Sequence, residues 1–135
     1  MRLKWKGNKL ELLDSTEFSI LSNSSGIYKY NDNEIIIVTK DQGVLKAPIN
    51  RLKDIVKLGN FDKYHSLLAS QLDYSSSEIW LATYDGLLRF NISTQEVERF
   101  DEFDGLNSNE FNWPSIRDKD GYYYFGGSQG FIRFR

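Results

Sequence analysis

A chain of 135 residues with 15% aromatic residues and only two prolines is expected to fold as one domain rich in sheet. Its formal charge of −2 comes from 17 basic and 19 acidic residues that are well mixed, so the electrostatic footprint of a nucleic-acid binder is missing. The absence of cysteine excludes disulfide staples, thiolate catalysis and cysteine-based zinc sites, and no apolar run approaches the roughly 20 residues of a membrane-spanning helix.

The chain opens on Met1-Arg2-Leu3-Lys4-Trp5-Lys6, a basic start with no apolar stretch behind it, which is not a signal peptide; in an exported parent the chain would start after its signal. Residues 1–13 are expected to add one extra outer strand, at Leu10-Glu11-Leu12-Leu13. A first unit, approximately 14–60, has a candidate strand at 27–30 and a turn at Asn31-Asp32-Asn33. A run from Glu34 to Thr39 follows, then the polar turn Lys40-Asp41-Gln42, then Gly43 to Lys46, with an outer strand at 54–58. A single helical turn over 54–60 is the competing assignment. The second unit, 61–104, repeats the order: 66–72, a Ser75-Ser76-Ser77 turn, Glu78 to Thr83, Tyr84-Asp85, Gly86 to Phe90, and 96–100. The third, 105–135, has 113–117, the turn Asp118-Lys119-Asp120-Gly121, then Tyr122 to Gly127, Ser128-Gln129 and Gly130 to Phe134.

The turn glycines fall at 43, 86 and 130, so the units are 43 and 44 residues apart, and each glycine is followed by two apolar residues and a base. That interval matches the ~40–45 residues of a four-stranded propeller blade. Each unit is a hairpin closed by glycine, flanked by an inner and an outer strand. Apolar runs such as Ile35 to Val38 point to strands covered on both faces. The expected fold is therefore all-β: a partial β-propeller of about three four-stranded antiparallel blades. Rings close with roughly 4–8 blades, so completion by further blades of a longer chain, or by oligomerisation, is expected. Two chains could form a six-bladed ring, with residues 9–13 supplying the strand that the last blade lacks.

Glu78-Ile79-Trp80-Leu81-Ala82-Thr83-Tyr84-Asp85-Gly86-Leu87 resembles the repeat of the two-component regulator propellers. Asp104 to Asn112 is similar to the segment leading into that family's last blade, and Tyr124 to Phe131 to the blade itself. The likeness covers 66–135 well and 27–60 more loosely, with Ile36 in place of Trp and a turn one residue longer. It implies the periplasmic sensory part of a bacterial membrane histidine kinase, commonly responsive to an oligosaccharide. It also implies localisation outside the cytoplasm; the residues themselves lead to the expectation of no catalytic residue, cofactor or metal site within this chain.

In such blades the segments 40–42, 59–65, 84–85, 101–112 and 127–129 share one end. Sugar recognition requires aromatic platforms beside amides, carboxylates or arginine. Asn109, Glu110, Asn112 and Trp113 supply both kinds, with Arg117, Tyr84 and Asp85 as further candidates. Against them stand plainer roles: Phe111 and Trp113 as core, and the asparagines as turn closers. Trp80 reads as packing between blades, and Tyr123 as pointing away from the core that one side of Tyr122–Tyr124 forms. Glu96, Glu98, Asp101, Glu102 and Asp104 read as a solvated strand edge, and Asp118-x-Asp120-Gly121 as a hairpin turn rather than a calcium loop. A protein-interaction scaffold is the alternative function. A propeller lyase or hydrolase, for which the single histidine His65 would be suspected, is the third.

Overall fold

The computed structural model describes residues 2–7, 9–14, 23–64 and 66–135, the two N-terminal strands by backbone alone. Strands β1 (Arg2–Lys6) and β2 (Lys9–Asp14) form a separate two-stranded sheet. The first blade is β3 (Ser24–Lys29), β4 (Glu34–Thr39), β5 (Gly43–Pro48) and β6 (Val56–Leu58). The second is β7 (Ala69–Asp73), β8 (Glu78–Thr83), β9 (Gly86–Asn91) and β10 (Val97–Phe100). The third is β11 (Phe111–Arg117), β12 (Tyr123–Gly127) and β13 (Gly130–Phe134). All pairings are antiparallel, and within each blade strand order follows the sequence from the inner to the outer edge. The chain is a run of propeller blades, as its repeat predicts.

The N-terminal expectation changes. The lone outer strand at Leu10–Leu13 is one arm of a hairpin: β2 pairs with β1, Trp5 opposite Leu10, rather than with the last blade. Gly7, at φ +64°, takes the left-handed backbone that lets so short a connection reverse. The outer strand expected at 54–58 is present as β6, preceded by a 3-10 turn at Leu52–Asp54, and the competing helical turn over 54–60 does not form.

Burial explains the apolar runs. Between the first two blades lies a cluster containing Ile36, Val38, Val44, Phe61, Leu81 and Phe90. Between the second and third lies Ala82, Leu87, Phe111, Tyr123 and Phe125, with Trp80 packed against it. Trp80 takes the expected place between blades, its ring edge-on to Phe134 at 4.6 Å. Tyr123 takes the opposite side from the one expected. It is 4% exposed and faces the second blade, because it shares a face with Phe125. The base after the second and third glycines also finds its reason: Trp80 lies opposite Arg89, and Tyr124 opposite Arg133, whereas Lys46 of the first blade lies opposite Ile36 and pairs with Glu34. Each guanidinium stands over its partner ring, at 5.6 and 5.8 Å.

The inner strands are joined by side-chain hydrogen bonds to backbone. The Ser70 carbonyl accepts from Tyr28 Oη at 2.8 Å on one side and from Ser115 Oγ at 3.2 Å on the other. Ser25 Oγ likewise donates to the Leu67 carbonyl at 2.8 Å. These bonds hold three successive blades in fixed relation, which positions the loops at their ends.

Candidate functional site

The turns that begin with the β4–β5, β8–β9 and β12–β13 connections gather at one end with the segments that run from one blade's outer strand to the next blade's inner strand. Backbone bonds fasten them: Leu67 N–H donates to the Lys40 carbonyl at 3.2 Å, Gly86 N–H to Asn109 at 2.6 Å, and Ser128 N–H to Glu110 at 3.2 Å. Because each connection is pinned to a hairpin turn, this end is a preformed surface.

Near its centre Trp113 is 58% exposed, with Lys40 Nζ 5.4 Å from the ring centroid. The exposure has a local cause. Phe111 pairs with Gly127 and Ser115 with Phe125, so four steps along β11 oppose two along β12. Asn112, Trp113 and Pro114 form the resulting bulge, and Gly126 lies beneath Pro114. A regular strand would have aimed Trp113 into the same core as Phe111.

The candidates from sequence divide accordingly. Asn112 and Glu110 are exposed beside Trp113 in the chain, and Tyr84 is exposed on the adjoining turn. Asn109 is occupied in holding backbone, since its side-chain oxygen accepts from Glu102 N–H at 2.8 Å while its carbonyl accepts from Gly86. Asp85 is paired with Arg99 at 3.0 Å. Arg117 does not join the group. It ends β11 at the opposite end of the blade, stacked over Tyr123 at 5.0 Å and 3.6 Å from Asp73, because a strand carries each residue ~3.3 Å further on. The acidic stretch is accounted for by structure: Glu98 pairs with Arg89, Asp101 with Arg99, and Asp101 and Asp104 cap the 3-10 turn Glu102–Asp104. His65 lies outside the described residues.

A cleft of about 490 Å³ opens beside this centre, and sequence reasoning did not select it. Its walls are the Lys40–Gln42 turn on one side and Lys57, Asp62 and Tyr64 on the other, over a floor that includes Leu58 and Phe61. Lys57 Nζ donates to Gln42 Oε1 at 3.1 Å across the opening. Asp62 N–H bonds Asn60 Oδ1 at 3.0 Å and Tyr64 N–H the Phe61 carbonyl at 2.9 Å, shaping the second wall. The signal in the sequence was the first unit's longer turn.

Among the described residues four carboxyls near the blade ends are held below their ordinary range, Glu34 chiefly by its hydrogen bond from the Asn31 amide. For Asp118 the main cause is the backbone N–H of Tyr122, which outweighs partial desolvation; for Asp73 it is the Ser75 hydroxyl. At Asp101 desolvation acts against the charge, but Arg99 and the Phe103 N–H together prevail. Each group binds its proton more weakly folded than unfolded, so the associated stability is present above about pH 4 and is lost as the pH falls through the lowered values. The thermal midpoint is expected to be level down to about pH 5 and to drop below about pH 4. Asp118→Asn should flatten that drop; an identical acid profile in the variant would clear Asp118 of any part in it.

No protein-family model matches the chain. Over 67 residues, 49% of its length, it is 34% identical to histidine kinase P4 of Formosa agariphila, of which this stretch is 5%. The extracellular domain of a one-component or hybrid two-component system from B. thetaiotaomicron superposes with a TM-score of 0.70 at 19% identity, covering 98% of this chain and 17% of that one. The extracellular domain of a second hybrid two-component system from that organism gives a TM-score of 0.62 at 17% identity, covering 98% of this chain and 22% of that one. The likeness is one of fold, and the chain spans a small part of each relative.

Proposed function

We propose that this chain is part of the extracytoplasmic sensor region of a two-component histidine kinase, and that it responds to an oligosaccharide bound at the loop-bearing end of its blades. The sensor reading is carried by the fold shared along 98% of the chain with extracellular domains of such systems. The sugar reading is supported by Trp113: an exposed indole face amid amide and carboxylate side chains suits the C–H face of a pyranose and its hydroxyls. Occupancy at this end would reach the kinase by altering how the blades pack against the domain that follows.

The open face of the third blade supports a further partner. Phe131, one residue past its turn glycine, is 65% exposed, whereas Leu87 at the same place in the second blade is 2% exposed beneath the third. Another sheet, from the parent chain or from a second copy, is proposed to cover it. The mass from sedimentation distinguishes a self-assembling chain from one that awaits flanking blades.

Trp113→Ala is expected to weaken oligosaccharide binding at least about tenfold in calorimetry, at an unchanged thermal midpoint, since the ring is outside the core. Equal affinity in the variant would move the site elsewhere. Phe103 favours a second reading, a protein-interaction scaffold, because it stands fully exposed on its capped turn. Capture of a protein partner that Phe103→Ser abolishes, with no glycan bound, would select that reading.

A further inference from the structure

We infer that the cleft between the Lys40–Gln42 turn and the 57–64 segment is a ligand subsite for a neutral polyhydroxylated ring, one or two sugar units in size. The inference rests on the oligosaccharide reading above and extends its site from Trp113 into a second pocket.

The repeat points to the cleft. Lys57 pairs with Leu45 and Arg99 with Leu88, each two residues past the turn glycine, so the two bases hold equivalent positions in successive blades. By the same count, Gln42 corresponds to Asp85, each preceding its glycine. In the second blade Arg99 fills this place. Its Nε donates to the Asp85 carbonyl at 2.9 Å, Nη2 to Asp85 Oδ1 at 3.0 Å, and Nη1 to Asp101 at 2.7 Å. In the first blade the turn is one residue longer and Lys57 makes a single exposed bond to Gln42, leaving about 490 Å³ open. One blade closes its own gap while its neighbour, of the same fold, holds the gap open.

The lining specifies the occupant. Lys40 and Lys57 are balanced by Asp41 and Asp62, so the cleft favours neither an anion nor a cation. Ammonium, carboxylate and amide groups around it can donate to and accept from hydroxyls, and Tyr64 adds a partly exposed ring. The volume lies within the range of small-ligand sites. Lys40 both lines the cleft and stands over Trp113, so one chain of sugars can pass from the indole into the cleft without leaving the surface.

The deciding experiment is an array of hexasaccharides of α- and β-linked glucose, mannose and galactose and their uronates, followed by calorimetry with the strongest binder. Lys57→Ala and Asp62→Ala should each weaken that binder about tenfold, the loss expected for one charge-assisted hydrogen bond. The double variant Gln42→Asp/Lys57→Arg copies the Asp85–Arg99 plug and should abolish the cleft contribution at an undiminished thermal midpoint. A hexasaccharide lost with Trp113→Ala but bound equally by all three cleft variants overturns the subsite and leaves the sensor reading standing. Absence of any glycan binding by the unaltered chain overturns the oligosaccharide reading together with the subsite, and preference for uronates by more than tenfold overturns the neutral assignment.

Discussion

Phe90→Ala is expected to cost about 3–5 kcal/mol, enough to leave a domain of ordinary stability, about 5–15 kcal/mol, close to unfolding. Phe90 is fully buried in the seam between the first and second blades. Its ring meets Phe61 edge-on at 5.0 Å. The backbone of Gly59 comes so close that a Cβ there would lie 2.7 Å from Phe90 Cε1, so the ring fills its site completely. Truncation leaves a cavity that the surrounding strands, fixed by their ladders and by the inner-strand bonds to Ser70, can collapse into only in part. Urea unfolding measures it. A loss under about 1 kcal/mol would mean that the two sheets do not share a core.

The second large effect lies in the turn glycines, which test the blade architecture against itself. Gly86 has φ +107°, and a Cβ there would sit 2.7 Å from the Phe100 carbonyl oxygen, a backbone atom with no room to retreat. Gly130 holds the same place in the third blade at φ +96°, with nothing within 4 Å among the described residues. Gly86→Ala therefore combines backbone strain with a clash, about 2–4 kcal/mol, whereas Gly130→Ala carries strain alone, about 1–2 kcal/mol. The difference between the two variants reads out the crowding by the outer strand β10. Equal losses would show that β10 does not press on the turn.

What the amino-acid sequence disclosed, and what it withheld, follows from the range of the forces involved. The hairpins were legible because a glycine with positive φ is a local requirement, met at Gly43, Gly86 and Gly130 by nothing more than the turn itself. Trp80 was legible because a large ring in a doubly covered strand has few other places to go. The opening hairpin was not: Leu3 and Trp5 alternate with lysines over too few residues to announce a strand. Arg117 is only four residues from Trp113, and proximity in the chain suggested a shared site, but β11 carries Arg117 to the other end of the blade, beside Asp73 and Tyr123. Asn109 illustrates a different limit. An amide that holds backbone and one that holds a ligand have the same composition, and only its bond to Glu102 N–H tells them apart. The cleft stayed hidden because its signature is comparative, a lysine where the next blade has an arginine with two partners.

The bulge at Asn112–Pro114 has a consequence for how this surface can change over time. It absorbs two surplus residues, and because side chains alternate with a period of two, an even surplus leaves Phe111 and Ser115 on the sides they would occupy without it. Insertions or deletions made in pairs at this point can lengthen, shorten or re-aim the rim of the recognition surface while the hydrophobic interior keeps its phase. A single-residue insertion would rotate Phe111 out into solvent. The tolerated route to new specificity at this locus is thus quantised in dipeptides.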